Sequence, residues 1–184
     1  VLGVLFGLDQ QIAQGTALVM VVPNVMLALW RYHQRNRIEL CHALPLGVMG
    51  FSFAWLGSIW AVGLDAGAMR VGFIAFLLAL SAYNLLRMFT RNAPPTAQMR
   101  HAWPWLGVLG AVSGSMGGLF GVGGAVVATP VLTSVFGTTQ VVAQGLSLAL
   151  ALPSTGVTLV TYAWHHEVDW MIGIPLAVGG LLSI

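Results

Sequence analysis

The sequence predicts an all-α integral membrane protein built from two repeats, and three observations lead to this fold class. Its 184 residues are 58% hydrophobic and only 7% charged, whereas soluble domains carry about 25% charged residues. The few charges are clustered, which leaves uncharged apolar runs at residues 10–30, 43–64, 71–86 and 102–164. The third observation is an internal sequence repeat. Because this composition cannot form a water-facing surface, we expect lipid to surround the chain.

The uncharged runs divide into membrane spans and loops. A transmembrane helix needs about 20 mostly apolar residues, so we expect about six to seven spans. Residues 1–7 resemble the end of an earlier helix, so the chain is expected to be a fragment of a longer protein. The other predicted spans are residues 11–31, 40–63, 70–88, 103–136 (as a broken helix), 141–162 and 170–184.

The longest polar stretch, residues 87–101, separates the chain into two halves and contains two adjacent prolines. We therefore predict three parts. They are a first repeat at residues 1–90 that lacks its N-terminal part, a cytoplasmic linker at residues 91–102, and a second repeat at residues 103–184 that lacks its C-terminal part.

The arginines predict how the spans are oriented. Loops 31–39 and 87–101 carry three Arg each, whereas loop 64–70 carries one. Basic residues of short loops stay on the cytoplasmic side, so the first two loops are expected in the cytoplasm and loop 64–70 outside. Loop 163–169 contains no Arg. Span counting alone places it with the cytoplasmic loops.

The internal repeat aligns residues 1–32 with residues 131–162, and the match continues to the end of the chain without a gap. Of 54 aligned pairs 16 are identical, and they include Gly, Pro, Gln and Tyr, which chance matches between apolar segments rarely align. Transporters are commonly built from such repeats, with the substrate site where the halves meet. The offset from one copy to the next covers four predicted spans. Because four is even, we expect two parallel four-helix repeats related by an axis along the membrane normal.

The glycine-rich segment 107–130 has two interpretations. Its glycines recur every three or four residues, and such a stripe lets another helix approach closely. The glycines at 121, 123 and 124 favour a break as well, because residues 103–136 are too long for one straight span. A helix that restarts after a break presents free N–H groups and a positive dipole end. In transporters such helix ends point at anionic substrates.

Neutral polar residues on the two matching helices complete a candidate site. A Gln inside the membrane is costly unless it faces protein or water, so its alternatives are a helix–helix hydrogen bond and a substrate cavity. No Asp, Glu or Arg lies in the middle of a span, so a substrate anion must be held by N–H groups, hydroxyls and amides. The predicted substrate-binding residues are Gln14, Gly15, Thr16, Asn24, Gly121, Gly123, Gly124, Gln144, Gly145 and Ser147.

Other chemistries find little support in the sequence. His165 and His166 are adjacent in a loop and lack the spacing of a zinc motif, so no metal site is predicted. No combination of residues indicates catalysis, a cofactor or nucleic-acid binding. The expected partners are a small anionic substrate and the lipid bilayer.

Two segments resemble the signature of the TauE/SafE family of sulfite and organosulfonate exporters. They are GLFGVGGAVVATPVL at residues 118–132 and AQGLSLALALPST at residues 143–155. The first half carries a similar segment at residues 13–39. One departure is Ala125, which stands where the family motif usually has a third consecutive Gly.

The resemblance implies a multi-pass transporter of sulfite, organosulfonates or related sulfur-containing anions in the bacterial inner membrane, and not an enzyme. It also implies two four-helix halves. A passive anion channel and a non-transporting membrane scaffold are the alternatives, because glycine-broken helices and repeats also occur in channels.

Overall fold

The computed structural model describes residues 9–36, 40–90 and 104–182. Every regular element in these ranges is an α-helix, and the elements are named here in chain order. They are α1 Gln10–Arg35, α2 Leu40–Val62, α3 Ala66–Thr90, α4 Pro104–Phe120, α5 Ala125–Ser134, α6 Gln140–Trp164 and α7 Trp170–Leu182. Four of them, α1, α2, α3 and α6, contain segments long and apolar enough to cross a membrane. The chain is therefore an all-α membrane protein, as predicted. The predicted linker at 91–102 and the span at 1–7 lie outside the described residues.

Side-chain caps mark where several helices begin. The Asp169 carboxylate accepts hydrogen bonds from the N–H groups of Met171 at 2.9 Å and Ile172 at 3.2 Å. Asp65 accepts in the same way from Gly67, and the Thr139 hydroxyl accepts from Val142. Each cap satisfies N–H groups that the first turn of a helix leaves without an intrahelical partner. These caps account for the starts of α3, α6 and α7.

The closest helix pair is α2 and α4, which touch backbone to backbone. A Cβ placed on Gly110 would lie 2.6 Å from the Leu46 carbonyl oxygen. Four residues further along both helices Gly114 faces the backbone of Gly50, and four residues further again Gly118 faces the backbone of Ala54. The glycine stripe therefore does pack a neighbouring helix. Because the paired positions increase together, α2 and α4 run parallel.

The chain reverses direction between α4 and α5. Gly121, Gly123 and Gly124 have φ of +65°, +73° and +56°, a region that residues with a Cβ rarely adopt. A Cβ on Gly117 would lie 2.6 Å from the Gly124 nitrogen, so the chain folds back at once. Trp105 near the start of α4 and Val135 just after α5 line the same cleft, so the two helices are antiparallel. The predicted break is confirmed, and it is a hairpin.

Helices α1 and α6, the two copies of the repeat, run antiparallel. Near the end of α1, Tyr32 donates a hydrogen bond from its hydroxyl to the carbonyl of Val141, in the first turn of α6, at 2.6 Å. Near the end of α6, the hydroxyl of Tyr162 lies 3.3 Å from Oε1 of Gln14, close to the start of α1. The predicted parallel relation is wrong for this pair. The reversal at the glycines adds one passage through the bundle. The offset from one copy to the next therefore covers five helices, which is an odd number.

The same extra passage corrects the placement of loop 163–169. The Asp169 N–H donates to the Thr16 hydroxyl at 2.9 Å, which places this loop at the start of α1. Gln11, one turn earlier, donates from Nε2 to the Leu64 carbonyl at 2.7 Å, so the turn between α2 and α3 lies at the same end. Loop 163–169 therefore does not lie with loop 31–39, which follows the opposite end of α1.

The largest buried cluster joins α2, α4, α5 and α6. Leu46, Leu106, Leu132 and Leu150 are each 0% exposed, and they pack in one cluster around the hairpin. Helix α3 contributes less. Only 6% of the residues in its membrane-length segment are buried. It contacts the hairpin through Phe76, which stacks on Phe120 with ring centroids 5.0 Å apart, and through a hydrogen bond between the hydroxyls of Tyr83 and Ser134. The core therefore holds the hairpin in place.

Single cysteines should reveal which loops share a side of the membrane. In a Cys41→Ser background, we expect Ala68→Cys and His165→Cys to react alike with a membrane-impermeant thiol reagent on whole cells. Gln34→Cys, at the other end of α1, should behave in the opposite way. If His165→Cys and Gln34→Cys are labelled equally and Ala68→Cys differs, the result would support the predicted parallel arrangement of α1 and α6 instead.

The α2–α4 contact should be intolerant of a single methyl group. Gly114→Ala inserts a Cβ into the backbone of Gly50 and should lower the free energy of unfolding by about 1–3 kcal/mol, the usual cost of overpacking. Gly156 is the matched control, since a Cβ there meets nothing within 4 Å. Gly156→Ala should be neutral or stabilising by roughly 0.5–1 kcal/mol, because Ala favours a helix over Gly. Thermal unfolding in detergent measures both; similar effects would contradict the proposed packing.

Candidate functional site

The glycine turn between α4 and α5 is enclosed by three helices. A Cβ on Gly121 would lie 3.3 Å from the Gln14 Cβ on α1, and one on Gly123 would lie 2.6 Å from the Thr155 Cγ2 on α6. A Cβ on Gly124 would lie 2.9 Å from the Ser113 carbonyl oxygen on α4. Thr155 lies past the midpoint of α6, which spans Gln140–Trp164. The turn therefore lies in the interior of the bundle, away from the ends of α6.

Gln14 brings an unused hydrogen-bond donor to this turn. Its side chain is 7% exposed. Its Oε1 faces the hydroxyl of Tyr162 at 3.3 Å, and that hydroxyl also lies 3.3 Å from the Leu119 carbonyl. Its Nε2 is buried and has no hydrogen-bond partner within the described ranges. Leaving a buried donor unsatisfied costs about 1–3 kcal/mol, so this amide is suited to a ligand that accepts a hydrogen bond.

Ser113 supplies a second unsatisfied polar group next to the turn. The residue is 0% exposed, and its Oγ has no partner among the residues that the structure describes. It lies one turn before Gly117, the residue that packs against the nitrogen of Gly124. Buried side-chain polar atoms are usually hydrogen-bonded. Two unsatisfied ones from different helices beside the same turn therefore indicate a binding site.

Helix α5 begins at this turn with its N-terminus inside the protein. Gly124 is its N-cap and has no side chain to cap it. The Gly124 carbonyl accepts from Val127 and Ala128 at 3.1 and 3.0 Å. The start of a helix carries a partial positive charge and N–H groups that bind anions. The N–H groups of Ala125, Val127 and Ala128 already donate to the Gly123 and Gly124 carbonyls, so the start of α5 adds its dipole and the Val126 N–H to the side chains of Gln14 and Ser113.

The side chains nearest Gly121, Gly123 and Gly124, those of Gln14, Leu18, Leu150, Ala151 and Thr155, carry no formal charge. In the described part of the chain, every charged side chain is at most four residues from a helix end. These residues are Asp9, Arg31, Arg35, Asp65, Arg70, Arg87, Glu167 and Asp169. Within the described ranges, no cluster of three His, Cys, Asp or Glu could hold a metal ion. The site offers neutral donors and a helix dipole, which suit a small anion.

Several predicted site residues lie elsewhere. Gly15 packs against the carbonyl of Glu167, and the Thr16 hydroxyl accepts from the Asp169 N–H, so both hold the loop between α6 and α7. Asn24 faces Gly180 of α7, and its Oδ1 is buried without a partner among the described residues. These three residues join α1 to its neighbours.

The second-half copy of the predicted site is also separate from the turn. Gln144 is exposed. Ala151 of the same helix lies against the turn, 4.0 Å from a Cβ placed on Gly123. Gln144 precedes Ala151 by seven residues, which is about 10 Å along a helix. Gly145 lies against the ring of Tyr32, and the Ser147 hydroxyl accepts a hydrogen bond from Thr129 at 2.8 Å. The structure thus places Gln14 against Gly121, the first glycine of the turn that also contains Gly123 and Gly124, and does not bring Gln144 to this turn.

Sequence reasoning did not assign three residues beside the turn, which are Ser113, Thr155 and Tyr162. Tyr162 was visible as the repeat partner of Tyr32, a signal of a shared role. Ser113 lies between glycines of the packing stripe, and nothing in the sequence distinguishes a serine that packs from a serine that binds.

Replacing the two buried glutamines of α1 should have opposite effects on stability. Gln14→Leu removes an unsatisfied donor, so thermal stability should stay the same or rise. Gln11→Leu is the matched control, because Gln11 is equally buried at 7% exposure and its Nε2 is bonded to Leu64. Losing that bond should cost about 1–3 kcal/mol. Thermal unfolding of both purified variants tests this; an equal loss would show that the Gln14 amide is structural.

Comparison with known proteins agrees with this picture. The entire chain, residues 1–184, matches the family described as sulfite exporter TauE/SafE. A "Probable membrane transporter protein" of Xylella fastidiosa strain 9a5c is 28% identical over 178 residues, which cover 94% of this chain and 67% of that protein. A protein of the same name from strain Temecula1 is 29% identical over 179 residues, with the same coverage of both chains. No solved structure matches the chain significantly. With seven helices described and a match along its whole length, the chain belongs to the TauE/SafE family of membrane transporters.

Proposed function

We propose that this protein transports small sulfur-containing anions, sulfite and organosulfonates, across the bacterial inner membrane, with the anion bound at the glycine turn. The observation that carries the proposal is the buried Nε2 of Gln14, which has no partner among the described residues and belongs to a side chain whose Cβ lies beside Gly121. The family description supplies the substrate class. Transport as the activity, rather than catalysis, is consistent with a site that offers only donors.

The energetics of the site support binding of an anion. Moving an anion from water into the bundle removes its hydration, so the protein must replace those hydrogen bonds. Each hydrogen bond to a charged group contributes about 1.5–3 kcal/mol. The Gln14 amide, the Ser113 hydroxyl and the start of α5 are the groups that would provide such bonds. None of them has to gain a proton before it can donate a hydrogen bond.

The arrangement also supports alternating access over a continuous pore. The turn is packed against α1, α4 and α6 on three sides, and Gly123 and Gly124 are buried. Secondary transporters place a broken helix at a central site and move one part of the bundle around it. A site enclosed in this way must open towards one side and then the other to release its anion.

Counterflow in proteoliposomes tests the proposal. Proteoliposomes that contain the purified protein are loaded with unlabelled sulfite. Uptake of labelled sulfite is then followed, with methanesulfonate, taurine and a carboxylate as competitors. We expect counterflow that saturates and is inhibited by the sulfur anions but not by the carboxylate. Flux that does not saturate would indicate a channel, and no flux would indicate a non-transporting scaffold.

Variants of α1 and of the glycine turn test where the anion binds. Gln14→Leu should weaken substrate binding about 10- to 150-fold, which corresponds to losing one hydrogen bond to a charged group. Gln11→Leu should leave affinity unchanged while lowering stability. Gly124→Val, which places a branched side chain at a positive φ, should abolish binding. Normal binding by both folded Gln14→Leu and Gly124→Val proteins would place the site elsewhere.

A further inference from the structure

The charge of the preferred substrate follows from what surrounds the turn. The groups that face it are an amide, a hydroxyl and a helix start, and every charged side chain of the described ranges lies at a helix end. Sites that bind dianions in proteins usually include Arg or Lys, whose charge compensates the second negative charge. The buried turn of this protein offers no such group among the described residues.

The end of the bundle where α1 begins, close to Gln14, carries mostly negative charge. The start of α1, the turn after α2 and the loop after α6 meet at one end of the bundle, as the bonds from Gln11 to Leu64 and from Asp169 to Thr16 show. The charged side chains at this end within the described ranges are four carboxylates and one guanidinium, those of Asp9, Asp65, Glu167, Asp169 and Arg70. Their field opposes an approaching anion, and it opposes a dianion twice as strongly.

Desolvation amplifies the difference between the two charge states. The cost of moving an ion out of water rises with the square of its charge, whereas the gain from a fixed set of neutral donors rises only with the charge itself. A second negative charge therefore adds more cost than gain in a site without a cation. The Gln14 amide, whose Nε2 carries two N–H groups, and the Ser113 hydroxyl are neutral donors without partners among the described residues, so they add hydrogen bonds but no compensating charge.

We propose that the glycine turn selects singly charged oxyanions, namely hydrogen sulfite and organosulfonates, over dianions such as sulfite proper, thiosulfate and sulfate. This inference rests on the proposed function and specifies its substrate class. The carrier then moves the protonated form of sulfite, and its apparent affinity for total sulfite rises as pH falls through the second ionisation of sulfurous acid.

Competition in proteoliposomes separates the charge states. Labelled methanesulfonate, a permanent monoanion, is the transported probe at constant ionic strength. Unlabelled ethanesulfonate should compete at least about tenfold better than thiosulfate or sulfate, a difference of about 1.4 kcal/mol. Equal or better competition by the dianions would overturn the inference while leaving anion transport intact. If neither class competes nor is transported, the proposed function fails with it.

Sulfite provides a comparison between two species that differ by one proton. Its competition against methanesulfonate should strengthen as pH is lowered across neutrality, in proportion to the hydrogen sulfite present. Methanesulfonate keeps its charge, so its own uptake reports any effect of pH on the protein itself. The ionisable groups at this end of the bundle are Asp9, Asp65, Arg70, His165, His166, Glu167 and Asp169, and Tyr162 lies beside Gln14. A sulfite potency that is independent of pH, after this correction, would contradict the inference.

A charge introduced at the turn should change the preference. Gln14→Lys places a cation where the free amide lies, and thiosulfate should gain at least about tenfold relative to ethanesulfonate. Gln14→Met, of similar length but without charge or donor, is the control and should weaken both anions without changing their ratio. An unchanged ratio of thiosulfate to ethanesulfonate competition in a folded Gln14→Lys protein would overturn the assignment of selectivity to this position. If that variant does not fold, the competition measured on the wild-type protein still tests the inference.

Discussion

The structure depends on one constraint of the bilayer, that irregular backbone inside a membrane must be buried in protein because lipid cannot satisfy its polar groups. The turn at residues 121–124 is such a backbone. It is tolerated because Gln14, Ser113 and Thr155 surround it on three sides. Left-handed glycines allow the reversal, and the flat glycine face of α4 lets α2 approach closely behind it. The packing of the hairpin and the position of the donors are thus consequences of the same turn.

The chemistry of the site follows from that geometry. A helix that starts inside the bundle supplies a partial positive charge without an ionised group, and it does so at a depth where burying Lys or Arg would be costly. Tyr162 connects the parts, because its hydroxyl lies between the Gln14 amide of α1 and the Leu119 carbonyl of α4. One tyrosine therefore links Gln14 to the hairpin.

The sequence was sufficient for the fold class, for the position of the break and for the contact between Gln14 and the glycine turn, while the role of Gln14 in binding stays a prediction. Composition and uncharged runs identify spans because lipid imposes a simple length and polarity rule. The direction taken after the break could not be read, since glycine permits both a kink and a reversal. Because the break is a reversal, the offset from α1 to α6 covers an odd number of helices. Helix α6 therefore runs antiparallel to α1, and Gln144 lies apart from Gln14. Ser113 escaped notice because its role depends on burial beside a turn, which only the tertiary structure shows. The two-repeat domain boundary stays a prediction, as do the partners and the cytoplasmic side.

The short length of α5 has a consequence for how the protein is made. With 10 residues, α5 is about 15 Å long, roughly half the thickness of the hydrocarbon core. Such a segment cannot partition into lipid as an independent helix during synthesis. It has to wait beside α4 until α6, the next long helix to emerge, covers its start. The proposed anion site at the glycine turn is therefore completed late in assembly, after the long helices have already been inserted.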